Sequence, residues 1–276
     1  EVYFANYFTN CGGGDYVGSY NDAVDIKKFR LSLLENNLSP RRINFIITVL
    51  QIMLNHAVDC EYIAKSPITK GIKSLETENN REAFTLDELK EIFSKNWKNE
   101  TSKLICLTAA ITGLRISECT GLQPEQIKNG YLDIDRQFYN GKLCHPKGDN
   151  RFVTIPEKLE KKLKEVSTGK LFVFTPKGNG TDNFPQCYLR RNLKSSFSEQ
   201  MKCQAKDRRL TFHSFRYFFN TYLISNNINE EKVNFIIGHS SGKNSMMKLY
   251  TTWKPSHYED VRRLQNQLCD IFKVED

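Results

Sequence analysis

Residues 211–250 read TFHSFRYFFNTYLISNNINEEKVNFIIGHSSGKNSMMKLY, and the rest of the chain is arranged around them. Phe212, Phe215, Phe219, Tyr222 and Leu223 recur at helical spacing, which predicts a buried helix. His213 and Arg216 stand three apart inside it, so an imidazole and a guanidinium share one face of an otherwise apolar element. A buried guanidinium needs an anionic partner, because an unpaired buried charge is costly. Asn226-Asn227 ends this helix. Asn229 caps a second one, which runs to Ile237 with Val233, Ile236 and Ile237 as its stripe. Gly238 stops it, His239 stands just past the stop, and Tyr250 follows in the segment MMKLYTTW.

Taken singly, each piece is ordinary: a structural histidine, a residue beside a helix cap, a core tyrosine. Their order is not. Far upstream, TGLRISE places Arg115 after the sharp turn at Gly113, with Glu118 three residues on and able to hold the guanidinium by an ion pair. Between the two blocks, PKGDNRFVTIP sets Lys147 at a turn between β-like segments, with Lys142 as the rival position. An arginine in a T-G-L-R-x-S-E setting, a hairpin lysine, H-x-x-R, G-H and a tyrosine, in that sequence, resemble the tyrosine recombinases, the family of phage integrases. The resemblance covers residues 83–265.

The resemblance implies a site-specific DNA recombinase that cleaves and rejoins DNA through a 3′-phosphotyrosine, as the integrase of a phage or mobile element. It implies that Tyr250 is the nucleophile and that Arg115 and Arg216 hold the phosphate, with Glu118 in support. His213 shares the tyrosyl proton, His239 bonds the phosphate from the other side, and Lys147 protonates the departing hydroxyl. No cofactor is implied, and no metal is called for by ligand spacing. The partners implied are double-stranded recombination sites and a tetramer on DNA, with the terminal helix 256–276 exchanged between protomers. Two other functions fit the same residues: a DNA-binding regulator that has lost catalysis, and a type IB topoisomerase-like enzyme. The chain departs from the family pattern at Tyr217, where a histidine is common, and in a longer interval from His239 to Tyr250.

Composition agrees with an anionic partner. The 276 residues carry a net charge of +8 and are 39% hydrophobic, enough for one or two cores. Residues 1–82 hold 9 Lys and Arg against 10 Asp and Glu, so the basic excess lies in the remainder. Cysteines at 11, 60, 106, 119, 144, 187, 203 and 269 form no C-x-x-C pair, which predicts free thiols in a reducing compartment, the cytoplasm and its nucleoid in a bacterium. No apolar run is long enough to span a membrane, and the opening Glu1 implies a trimmed N-terminus.

The predicted fold is mainly α, with a small antiparallel three-stranded β-sheet, in two lobes. Residues 1–76 form a helical lobe that resembles the family's core-binding domain, 77–83 a linker within the polar stretch SLETENNRE, and 84–276 an α+β lobe ending in a helix, which the resemblance makes the catalytic domain. In the first lobe a helix over 22–35 has Ile26, Phe29, Leu33 and Leu34 as its stripe. Ser39-Pro40 starts a second helix, apolar nearly all round and therefore central, with Arg41 and Arg42 on its first turn as phosphate contacts. In the second lobe Thr85 and Glu88 form a capping box. YLDID, GKLCHP and RFVTIP are the expected strands. Arg190, Arg191, Lys194, Arg208 and Arg209 are candidate phosphate contacts, which position DNA without reading it. Ser256 and Glu259 form a second predicted box, opening a helix with Val261, Leu264, Leu268 and Ile271 on one face.

Overall fold

The structure, a computed structural model, describes residues 23–68, 72–77, 81–176, 180–239 and 253–274. The chain divides into two compact units, Glu1–Asn79 and Asn80–Asp276.

In the first unit, α1 (Ala23–Glu35) ends at Asn37, whose φ of 56° is tolerated because a short amide side chain suits the left-handed region. Helix α2 (Pro40–Asp59) starts on Pro40, whose ring presets φ. Ser39 occupies the cap position in an extended conformation, but its hydroxyl makes no capping bond. Ile26, Phe29 and Leu33 meet Ile43, Ile46, Ile47, Leu50 and Leu54 in a small core. Asn44 fastens the segment after the helices by exchanging two bonds with the backbone of Leu75, at 2.8 and 2.9 Å. Two expectations are corrected here. Helix α2 is buried on one face only, since Phe45 is 68% and Ile52 63% exposed, and Leu34 lies outside the core.

In the second unit, α3 (Leu86–Ser94) carries the expected box: the Thr85 hydroxyl accepts from Glu88 N, and the Glu88 carboxylate accepts from Thr85 N. Helix α4 (Glu100–Thr112) runs through the centre, with Ile105, Cys106, Ala109, Ala110 and Ile111 fully buried. It stops at Gly113, whose φ is +68° and where a Cβ would lie 2.6 Å from the Phe219 ring. The turn delivers α5 (Ile116–Thr120).

The β region differs from its expected layout. Strands β1 (Ile127–Lys128) and β2 (Tyr131–Ile134) form the first hairpin, and β3 (Gln137–Tyr139) and β4 (Lys142–Cys144) form another. The three-stranded antiparallel sheet is β1-β2-β5, where β5 (Arg151–Thr154) pairs Leu132 with Val153 and Ile134 with Arg151. GKLC is therefore not its middle strand. Asn140 and Gly141, at φ 49° and 79°, close that segment back on β3, and the hairpin leaves the sheet to dock on α5. Gly121 permits the docking, because a Cβ there would sit 2.4 Å from Phe138 N.

Helices α6 (Glu157–Ser167), α7 (Gln186–Ser196), α8 (Glu199–Asp207), α9 (His213–Ser225), α10 (Glu230–Ile237) and α11 (Glu259–Ile271) complete the unit. The Asn229 side chain caps α10 through Glu231 N and Lys232 N. The predicted Ser256–Glu259 box does not form; a 3-10 turn, Pro255–Tyr258, precedes α11 instead. The stripe of α11 packs on its own unit in the single chain. Val261 and Leu268 are fully buried, and the buried Gln265 amide donates to Ile111 O at 3.0 Å and Thr154 O at 2.7 Å. Truncation before Glu259 should therefore destabilise the second unit rather than leave a folded monomer; a truncated chain that melts like the parent would contradict this packing.

Candidate active site

Arg115 caps α5, and its neighbour three residues on closes the loop. Glu118 accepts from Arg115 N at 2.8 Å and from its Nη1 at 2.7 Å. The carboxylate is 1% exposed, and Arg151 grips both its oxygens, Nη1 to Oε1 at 3.0 Å and Nη2 to Oε2 at 2.8 Å. Burial alone would raise the Glu118 pKa; the Arg151 charge and fork, with Arg115 behind them, outweigh it and hold it at about 2.

Arg216 projects from α9 and is 2% exposed. The sequence suggested an anionic partner for it. The structure gives it backbone carbonyls: Nη1 donates to Gly113 O at 2.9 Å and Nη2 to Ile237 O. Burial and the nearby Arg115 charge push its pKa down to about 9. Arg115 and Arg151 thus hold one carboxylate, Arg216 feels its charge, and the cluster carries surplus positive charge in a partly desolvated place. That surplus is what an incoming phosphate would neutralise.

The histidines stand at the edge. His213 opens α9, half-buried, its ring edge-on to Tyr217 at 4.9 Å. Burial, then Arg216, Arg81, Arg115 and His239, push its pKa down to about 4, so it is neutral at pH 7. His239 is exposed just past Gly238, and its pKa is lowered by burial and by Arg216, Arg115 and Arg151. A phosphodiester held beside them would add negative charge and so favour the protonated form of both. We expect the His213 Cε1–H NMR titration midpoint to lie near pH 4 in the free protein and to move upward on adding duplex DNA. A free midpoint at the ordinary histidine value would mean that the ring is neither desolvated nor faced by the arginines.

Lys147 is exposed in the loop joining β4 to β5. Its neighbour Gly148 lies against the Gly238 carbonyl, where a Cβ would come within 2.9 Å, so the lysine loop and the Gly-His turn share a base. Lys142, the rival, is exposed on β4. Tyr250 lies outside the described residues. The other candidate tyrosine, Tyr258, is fully buried among Phe152, Phe235 and Trp253. Burial and the Asp260 charge raise its pKa, and its hydroxyl has no hydrogen-bond partner among the described residues. Tyr258→Phe should accordingly leave thermal stability unchanged or raised. A clear drop in melting temperature would show that the hydroxyl has a partner.

The remaining sequence candidates lie outside this hydrogen-bonded cluster. Arg41 and Arg42 are exposed on the first turn of α2, Arg190, Arg191 and Lys194 are exposed on α7, and Arg209 is exposed after α8. Arg208 has a different part from the phosphate contact expected of it. Its fork is taken by Glu88, Glu82 and Ala83 O, which staples the end of α8 to the start of the unit. Sequence reading missed Arg151. The pattern K-G-x-x-R was in view, but nothing in the string shows that this arginine points inward at Glu118. Among the described residues, no group of acidic, histidine or cysteine side chains could hold a metal, and no helix is long and apolar enough to cross a membrane.

Known proteins resemble this chain over most of its length. The phage integrase family model matches residues 82–257. A "Tyrosine recombinase XerC-like" protein of Caldanaerobacter subterraneus subsp. tengcongensis is 27% identical over 176 residues, 61% of this chain and 44% of the relative. The "ICEBs1 integrase" of Bacillus subtilis is 26% identical over 237 residues, 80% of this chain and 64% of the relative. The chain thus spans less than two thirds of either relative's length. The Tn1549 transposon integrase, solved in complex with transposon right end DNA, superposes with a TM-score of 0.65 at 18% identity, covering 95% of this chain and 98% of that one. That structure shares the fold. Because the family model spans the unit in which Arg115, His213, Arg216 and His239 converge, the chain belongs to the phage integrase family.

Proposed function

We propose that this protein is a site-specific DNA recombinase, the integrase of a phage or mobile element, that breaks and rejoins strands through a covalent 3′-phosphotyrosine. The observation that carries the reading is the cluster of Arg115, Arg151 and Arg216 around the single carboxylate of Glu118, with two histidines beside it. Such a site is built to receive an anion and to stabilise charge that grows on its nonbridging oxygens. Tyr250 attacks the phosphorus, and the bond to the 5′ oxygen breaks. His213, neutral at pH 7, is suited to take or share the phenol proton. Lys147 gives a proton to the departing 5′-hydroxyl. The bond energy stays in the phosphotyrosine, so a second DNA end can reverse the step without a nucleotide cofactor.

The names of the relatives support a mobile-element role: one is the ICEBs1 integrase, and another integrase of this fold was solved on transposon end DNA. Reciprocal strand exchange between two double-stranded sites calls for four protomers, so the working form is a tetramer on DNA. Exchange of the 256–276 helix between protomers belongs to the same reading, the α11 stripe filling in a neighbour the place that it fills in its own unit here. The site of action is the DNA-containing compartment, the nucleoid in a bacterium. The exposed arginines on α2 and α7 are assigned to phosphate contact, and binding should weaken steeply with salt.

A nicked suicide substrate tests the proposal. The broken strand diffuses away and traps the adduct, which is expected as a denaturation-resistant, protease-sensitive complex. Duplex binding without adduct under any substrate design would replace this reading with that of a DNA-binding regulator.

A further inference from the structure

We propose that Arg151 is a positioning residue for strand cleavage, joining the carboxylate behind Arg115 to the helix end that presents His239. This rests on the function proposed above. Arg151 opens β5 and is 4% exposed, with Nη1, Nη2 and Nε all engaged inside the protein. Its fork fixes both oxygens of Glu118, and its third donor, Nε, reaches Ile236 O at 2.7 Å. Three donors in one rigid plane set the orientation of two elements at once.

The helix end it holds is unusual in what it collects. The last carbonyls of a helix lack intrahelical partners, and that end carries partial negative charge. In α10 three successive carbonyls are taken by three arginines. Ile236 O accepts from Arg151, Ile237 O from Arg216, and Gly238 O from Arg115 at 2.8 Å. The C-terminus of α10 is thereby a rack that orders the cluster before any DNA arrives. Gly238 makes this possible. Its φ is +61°, and a Cβ there would lie 2.9 to 3.0 Å from the atoms of the Arg151 guanidinium. Gly148, next to Lys147, rests on the same carbonyl. Movement of the α10 end would therefore shift Arg115, Arg216, His239 and the lysine loop together. A lysine at 151 keeps the charge but, as a point donor, cannot serve Glu118 and Ile236 O in one plane.

Arg151→Lys is the test. It should bind duplex DNA like the parent and cleave a suicide substrate about a hundredfold more slowly, the usual scale for misplacing reacting groups by about an ångström. A merely structural role would lower the melting temperature and leave single-turnover cleavage intact. A second readout does not depend on activity. The Arg115 Nη protons, held by Glu118 and Gly238 O, should give separate NMR signals in the parent and averaged ones in the variant. If Arg151→Lys fails to fold, Gly238→Ala presses on the same guanidinium while keeping its charge and should slow cleavage and average the signals alike. Cleavage at the parental rate, or unchanged Arg115 signals, overturns the inference. A parent that forms no adduct at all refutes the proposed function instead, and the Arg115 signals still decide the positioning role.

Discussion

Tyr250→Phe abolishes the covalent protein–DNA adduct and leaves duplex affinity nearly intact. The substitution removes one oxygen and keeps the ring. If Tyr250 is the nucleophile, nothing that contacts DNA before the chemical step is lost, while the step itself has no attacking atom. A free phenol has a pKa of about 10, so attack at neutral pH depends on the arginines that stabilise charge as it moves from phenol to phosphate. Loss of the nucleophile should therefore be more severe than loss of one donor. Arg115→Ala or Arg216→Ala should slow cleavage by about a hundredfold to a thousandfold, as for removal of one transition-state donor. The Phe variant should show no adduct above background in the suicide-substrate assay. If an adduct persists, the nucleophile is another tyrosine. Tyr258 is then a poor choice, since it is fully buried in an aromatic cluster. Tyr217, whose ring meets His213, becomes the next residue to replace.

Much of this site is legible in the string because its parts are local. T-G-L-R-x-S-E contains its own geometry: a glycine that reverses the chain at positive φ, and a glutamate one turn beyond the arginine it holds. H-x-x-R on an apolar helix, and a glycine-stopped helix before a histidine, are local in the same sense. What was not legible is what crosses the chain. Arg151 and Glu118 are thirty-three residues apart, and the α10 carbonyls that receive three arginines carry no side-chain signature. The sheet was misread for a related reason. Asn129-Gly130 closes a short hairpin between β1 and β2, and Gln137–Tyr139 is closer kin to GKLC than either neighbour in the sheet. Two-residue and three-residue strands have too little alternation to announce their partners. Helix α2 reads as apolar all round, yet which of its faces is covered depends on elements elsewhere in the chain. Arg208 looked like any other exposed basic residue until Glu82 and Glu88 were placed beside it.

Glu118→Ala should bring the second unit close to unfolding at neutral pH, before any effect on chemistry is measured. The carboxylate is the sole acidic group hydrogen-bonded to Arg115 and Arg151 among the described residues, and Arg216 feels its charge as well. Removing one partner of a buried ion pair costs about 3–5 kcal/mol, because it leaves uncompensated charge in a desolvated place. Here two guanidiniums lose their acceptor together and a third loses a counter-charge. A domain of ordinary stability has about 5–15 kcal/mol in total, so the loss is a large share of it. Glu118→Gln keeps the volume and one acceptor oxygen and should lose less, which makes it the variant in which cleavage can be followed. The pH dependence supplies a separate check. The folded Glu118 pKa of about 2 lies below the ordinary value of 4.5. Its contribution is therefore fully present above pH 4.5 and is lost as pH falls toward 2, a span worth about 3 kcal/mol for this one group. Urea unfolding of the parent and of Glu118→Gln should accordingly differ most at pH 7 and converge as pH falls toward 2. Curves separated by the same amount at both pH values would mean that the carboxylate does not hold its proton affinity down through the arginines. The cluster would then owe its order to the α10 carbonyls alone.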